Sequence, residues 1–271
     1  VTDAGVALAD AQPAQGHVRV IHASPDPSAS ELAVDLFVER SATAAVGSLA
    51  YRATSGYIDA PEGNLWVEVR RRDAAGATPA LAAQAQTLQI GHKYTVIVYG
   101  TLARAQPLAL ASTEDFDTEP PAGHARLRLF HALVGAGAVD VCTRDAPPVA
   151  VFSNAAYGRW GFTRPGAERY DATVDVRAGS PLALDVRAYA ESTCAGPLVG
   201  QFTITPPERS ALTLVAVGGE VSASSPAIPR EVLLCTDAPR AGSPGCEAVS
   251  IRSVDAAPAG RTNARRTRAP R

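Results

Sequence analysis

The chain has 271 residues, a formal net charge of -2, 46% apolar residues and 19% charged ones. That length exceeds one ordinary domain, and the near-neutral charge excludes a nucleic-acid grip as the main task, since such a grip needs a strongly basic face. No apolar run reaches the roughly 18 residues of a membrane span, and the wealth of Val, Ala, Gly and Pro favours short strands and turns over long helices.

Residues 1–16, VTDAGVALADAQPAQG, are small and polar and predict a flexible tether, with an export signal or lipid anchor expected upstream of Val1. A first β-sandwich is expected over 17–114, with strands near 17–23, 32–39, 64–71, 81–89, 93–101 and 107–112 and a weaker one at 56–60. Within it, TPALAAQAQTL has Ala-rich helix propensity, but its counterpart GPLVGQFTI in the second half decides for a strand. The acidic, Pro-rich stretch TEDFDTEPPAG reads as a short interdomain linker. A second sandwich is expected over 124–255, with strands near 125–132, 138–144, 148–153, 171–177, 181–189, 198–205 and 211–218. EVLLCTD and EAVSIRSV then predict an extra, disulfide-closed hairpin at a sheet edge. The tail 256–271 holds Arg261, Arg265, Arg266, Arg268 and Arg271 without an acid and predicts disorder.

The two halves repeat one another. HVRVIHASPDPSASELAVDLFV opens the first and HARLRLFHALVGAGAVDVCT the second, each with a strand, a His-Ala step, a small-residue loop and a Val-Asp strand. An aromatic-Gly-aromatic neighbourhood follows in both, SGYIDAPEGNLWVEV and GRWGFTRPGAERYDATVDV, and each half closes on a buried-looking strand ending in Gly, KYTVIVYGTL and ALTLVAVGGE. Short strands with turn residues every ten or so positions give an all-β fold of two tandem immunoglobulin-like sandwiches.

VRVIHASPDP, AVDLFV, GYIDAPEGNLWVEV and KYTVIVYG together resemble a family of exported bacterial proteins known as domain of unknown function 4397. The resemblance covers 17–113 well and 124–220 more loosely, where LVGAGA replaces Ser-Pro-Asp and a cysteine follows Val-Asp-Val. It implies β-sandwiches in secreted or surface-attached proteins, often in tandem, and no known activity.

Four cysteines, none in a metal-ligand spacing, allow three pairings. Cys142 with Cys194 and Cys235 with Cys246 are expected, because each pair lies within one predicted unit, and disulfides imply an oxidising compartment. The chain is therefore expected to be extracellular, on the outer surface or periplasmic.

His22 and His131 end the first strand of each half on the side of Val18 and Val20 or of Leu127 and Leu129, which predicts structural core histidines. Arg19, Arg126 and Arg128 fall on the opposite, exposed face by the same alternation. Asp35 and Asp140 are expected to face solvent or cap a loop, and Asp26 to sit in a turn. Tyr57, Trp160 and Phe162 are the candidate binding residues, as rings that could stack on a sugar; Tyr170 belongs to the same group, and Trp66 reads as core between Leu65 and Val67.

No G-x-S-x-G elbow, H-E-x-x-H, phosphate loop or dinucleotide fingerprint is present. The reading that follows is a non-enzymatic exported module for binding, adhesion or spacing, with no cofactor and no metal. An unidentified glycan or surface protein is its expected partner. The alternative is a hydrolase or metal-dependent enzyme using His22 and Asp26.

Overall fold

The computed structural model describes residues 15–25, 33–72, 80–102, 106–115, 118–161, 174–190, 193–220, 227–237 and 245–253. The first half holds β1 (Gln15–His22), β2 (Val34–Val38), β3 (Val46–Leu49), β4 (Ile58–Pro61), β5 (Gly63–Arg71), β6 (Ala82–Leu88), β7 (Lys93–Tyr99) and β8 (Ala109–Glu114). The second holds β9 (His124–His131), β10 (Val139–Thr143), β11 (Ala150–Ala155), β12 (Val174–Arg177), β13 (Leu182–Ala188), β14 (Leu198–Ile204), β15 (Ala211–Gly219), β16 (Ile228–Thr236), β17 (Cys246–Ser250) and β18 (Arg252–Ser253). The fold is all-β, two sandwiches in tandem.

The strand orders of the two halves correspond. The first sandwich pairs a β4-β1-β7-β8 sheet with a β3-β2-β5-β6 sheet, and the second pairs β12-β9-β15-β16-β17 with β11-β10-β13-β14-β18. In both, the first strand runs parallel to its inner neighbour, β1 to β7 and β9 to β15, in the same relative register. Gly100 and Gly218 follow the last residues of these matching stretches with φ of +93° and +94°. A Cβ there would lie 2.2 Å from the Pro107 carbonyl oxygen and 2.0 Å from that of Pro229, so only glycine fits the close crossing.

Alternation sorts the side chains. Val18, Val20, Tyr94, Val96 and Val98 enter the core of the first sandwich, and Leu127, Leu129, Leu212 and Leu214 that of the second. The other faces of the same strands are buried too: Ile21 and Ile97 pack with Phe130, Trp160, Val215 and Val217 in a third core between the sandwiches. The β1-containing and β9-containing sheets thus lie back to back inside a four-layer stack. This explains why β15 is buried at every residue and why KYTVIVY and ALTLVAV are so uniformly apolar, the pattern of strands covered on both faces.

Several expectations are corrected. Val46–Leu49 forms a strand that its Gly-Ser centre concealed. TPALAAQAQTL does supply a strand, β6, whose residues alternate as β5 pairing requires. The C-terminal hairpin is only half an addition, since β16 fills the place that β8 fills in the first sandwich. What is added is β17 and β18, split at Ile251, where the chain passes from one sheet to the other. The linker is also shorter than its composition suggests: Thr113 and Glu114 belong to β8, and Asp115 is 3% exposed. The tether residues 1–14 and the tail lie outside the described residues, as do Asp26, Phe162 and Tyr170.

Candidate functional site

Arg19 and Arg128, expected at the surface, are 0% and 1% exposed. Alternation assigned their face correctly, but the other sandwich covers that face. Each guanidinium anchors at home and reaches abroad. Arg19 Nε donates to Thr95 Oγ1 of its own sandwich at 2.8 Å, and its Nη atoms bond the Thr236 carbonyl and the Asp237 carboxylate of the other. Arg128 mirrors this, with Nε on Thr213 Oγ1 at 2.8 Å, Nη1 on the Glu114 carbonyl at 2.8 Å and Nη2 on Asp115. The threonine hydroxyls in turn donate to the aspartate of their own half, Thr95 to Asp115 at 2.6 Å and Thr213 to Asp237. Arg128 Nη2 also lies 3.1 Å from Asp237 Oδ2, closing a network of two cations and two anions related by an approximate twofold.

Tyr57 and Trp160 belong to this network. Tyr57 is largely buried; its Oη lies 2.6 Å from both Asp115 Oδ2 and the Asp237 carbonyl oxygen, and Arg19 sits 5.4 Å from its ring centre. Trp160 is 6% exposed, edge-on to Phe130 and 5.2 Å from the Arg128 guanidinium carbon. Each ring already has a guanidinium beside it. They are not counterparts: Trp160 bridges to Phe130 as Thr54 bridges to Ile21, which makes Thr54 the residue matching Trp160. Trp66 is corrected in the other direction. It points outward from β5, half-buried, its Nε1–H on Glu68 at 2.7 Å, because Leu65, Val67 and Val69 take the inward positions.

Burial alone would raise the Asp115 pKa, but Arg128 and then Arg19, helped by hydrogen bonds from Thr95 and Tyr57, hold it below the usual carboxylate value. Tyr57 moves the opposite way: burial, reinforced by the Asp115 charge, raises its phenol well above the ordinary value, so it stays a neutral donor.

His22 and His131 are both fully buried. Ser24 N–H donates to His22 Nδ1 and Leu133 N–H to His131 Nδ1, each at 3.2 Å, so both rings fasten the turn that follows their strand. His131 Nε2 lies 3.0 Å from the Gly137 carbonyl oxygen, which places the ring proton on Nε2, and burial lowers its pKa. Asp140 is 0% exposed and accepts from Asn154 N–H at 2.9 Å and Cys194 N–H at 3.1 Å, whereas Asp35 is half-exposed and caps Ser48 N–H at 2.7 Å. Cys142 bonds Cys194 and Cys235 bonds Cys246, the pairing expected. Among the described residues no three His, Cys, Asp or Glu side chains are grouped to hold a metal ion, and no helix is long and apolar enough to cross a membrane.

Residues 16–142 match the family model described as Domain of unknown function (DUF4397). No curated protein matches the chain. The DUF4397 match takes in all of β1 to β8 except Gln15, and ends at Cys142 within β10, so it includes Arg19, Asp115 and Arg128 but not Asp237.

Among the described residues, two clefts lie on the second sandwich. One, of about 250 Å³, opens between its sheets beside Val139, Val186 and Ile251, with Arg230 at its side. The other, of about 340 Å³, lies along β14 and β17 and is lined by Arg144, Gln201, Thr203, Ser250 and Arg252. Sequence reasoning missed both, because they are made where separate strands diverge.

Proposed function

We propose that this chain is an exported, non-enzymatic binding module whose two sandwiches act as one body and whose ligand is held on the second sandwich. The observation that carries this reading is the fate of the reactive side chains. His22 and His131 spend their Nδ1 atoms on backbone N–H groups, and Arg19, Arg128, Asp115, Asp237 and Tyr57 are turned toward one another across a buried interface. None of them lines either cleft described above, where catalytic groups would need to meet a substrate. The two clefts described above lie instead on the second sandwich.

Other features support the finer parts of the proposal. Two disulfides fit an oxidising compartment and hence a periplasmic, surface or extracellular site. The shared strand order and the matched Arg19/Arg128, Thr95/Thr213 and Asp115/Asp237 pairs support β9 to β16 as a second copy of the unit in β1 to β8, and the sandwich architecture suits an immunoglobulin-like label. Glycans and surface proteins are the ligand classes first expected. The enzyme alternative centred on His22 and Asp26 finds no support in a His22 ring that is 0% exposed.

A thermal-shift screen of the purified chain against glycans, peptidoglycan fragments, small organic acids and divalent metals tests the binding reading. One class is expected to raise the melting temperature, since a ligand at 100 times its Kd adds about 2.7 kcal/mol. Absence of a shift with every class would contradict it.

A further inference from the structure

Arg230 sits where the pairing of β16 with β15 turns irregular. Val232 and Leu234 of β16 pack in the core of the second sandwich, while Glu231 on the other face pairs with Arg52 at 2.9 Å; the β15–β16 register then shifts between Glu231 and Ile228, and Arg230, within that irregularity, lines the open end of the space between the sheets. A cation lining an otherwise apolar opening calls for a partner or a function. Among the described residues Arg230 has no acidic partner, although Arg126, Arg144 and Arg187 of the same sandwich each pair with an aspartate.

The space beside it is apolar. The 250 Å³ cleft is walled by Leu133, Val139, Val186, Ala188, Val199 and Ile251, and Arg230 is the one charged residue in its lining. Below it a void of about 10 Å³ shares Leu133, Val139, Val186 and Ile251 and reaches His131. Close-packed interiors hold few voids larger than a water molecule, so an apolar opening of this size at the mouth of a sandwich is a place for something else to fill.

We propose that this mouth binds a small organic carboxylate with a compact apolar body, its carboxylate on the Arg230 guanidinium and its body between the two sheets. The inference rests on the binding-module reading and names its ligand class. A guanidinium pairs with a carboxylate through two parallel hydrogen bonds, a match that an alcohol cannot make and an amine opposes. A cavity of about 150 Å³ accommodates benzene, so the larger cleft suits a ring with a short acid chain or a fatty acid of about six to ten carbons.

Isothermal titration of the full chain with octanoate, 3-phenylpropionate, 1-octanol and octylamine tests this. Both acids are expected to bind, octanol at least tenfold more weakly than octanoate, and octylamine not at all. Arg230→Gln is expected to bring octanoate down to the level of octanol, and Ala136→Phe, at the rim of the cleft, to weaken both. Arg252→Gln, in the other cleft, is expected to leave octanoate binding unchanged. Melting curves identify any variant that fails to fold, and the Arg230→Gln result stands without the Ala136→Phe one. Octanoate binding that survives Arg230→Gln overturns the proposal. If no acid binds while a glycan, peptidoglycan fragment or metal shifts the melting temperature, the ligand assignment fails and the binding-module reading stands; if nothing binds, both fail.

Discussion

Replacing Arg128 with methionine is expected to destabilise the protein by about 3–5 kcal/mol, the range for removing one partner from a buried ion network. Methionine fills much of the volume and keeps the contact with Trp160, so the loss reports charge rather than a cavity. Asp115 and Asp237 would then share the single cation Arg19, both with less than 4% of their surface exposed. The network as a whole is not expected to be strongly stabilising, because taking four charges out of water costs nearly as much as their pairing returns. The double variant Arg128→Met with Asp115→Leu is therefore expected to cost less than the sum of the two single changes. Urea unfolding of the wild type and the three variants gives these numbers; an Arg128→Met effect below about 0.5 kcal/mol, the level of an ordinary surface change, would contradict the account.

The deficit has a defined pH window. The folded-state pKa of Asp115 lies below its ordinary value of 3.8, so its contribution is fully present above that pH and is lost as pH falls below it. The gap between wild type and Arg128→Met is expected to be full at neutral pH and to narrow in acid, as pH falls from the Asp115 pKa of the variant toward its lower value in the wild type and protonation removes the charge that the missing guanidinium had balanced.

The second large effect concerns the crosslinks. Loop-closure entropy predicts a loss of about 4 kcal/mol for removing Cys142–Cys194 and about 3 kcal/mol for Cys235–Cys246, from loops of 52 and 11 residues. The first bridge also works with Asp140, whose two carboxylate oxygens hold the backbone at Asn154 and Cys194. Losing it frees the chain next to Ala188 and Val139, which wall the apolar cleft. Thermal unfolding of the double-alanine variants is expected to rank Cys142/Cys194 as the more damaging pair, and the reverse order would contradict this reading.

How far the sequence could be read follows from what alternation can and cannot say. Period two separates the faces of a strand, and it placed Val18, Val20 and His22 together, and Leu127, Leu129 and His131 together. It does not say what covers the other face. Arg19 and Arg128 look like solvated charges on a half-exposed strand, and only the apolar residues around them, Ile21, Phe130, Ile97 and Val215, hint that a second layer lies there. The acids that meet them were harder to find. Asp115 sits in a Pro-rich acidic stretch that resembles a linker, and Asp237 in a turn; the signal was that both follow the end of a matching strand, β8 and β16.

Aromatic residues misled for a related reason. Tyr57 lies beside a glycine, which suggests a loop at the surface, yet its hydroxyl reaches across to the Asp237 carbonyl of the neighbouring sandwich. Trp66 looks apolar enough for the core, but its parity sends it outside, where Glu68 satisfies the indole N–H. The cysteine pairing was legible because each bridge closes within one predicted unit. The apolar cleft was not, because Val139, Val186, Arg230 and Ile251 come from four separate strands or strand junctions.

The central claim is that the two sandwiches are joined into one body by an apolar interface with a closed charge network inside it. Scanning calorimetry of the intact protein tests it most directly. The account predicts a single transition whose calorimetric and van't Hoff enthalpies agree, because neither half can unfold without exposing Ile21, Phe130 and Trp160 and unpairing Arg19 and Arg128. Two separate transitions in the wild type, with the lower one unchanged in Arg128→Met, would show that the halves unfold independently and would contradict it.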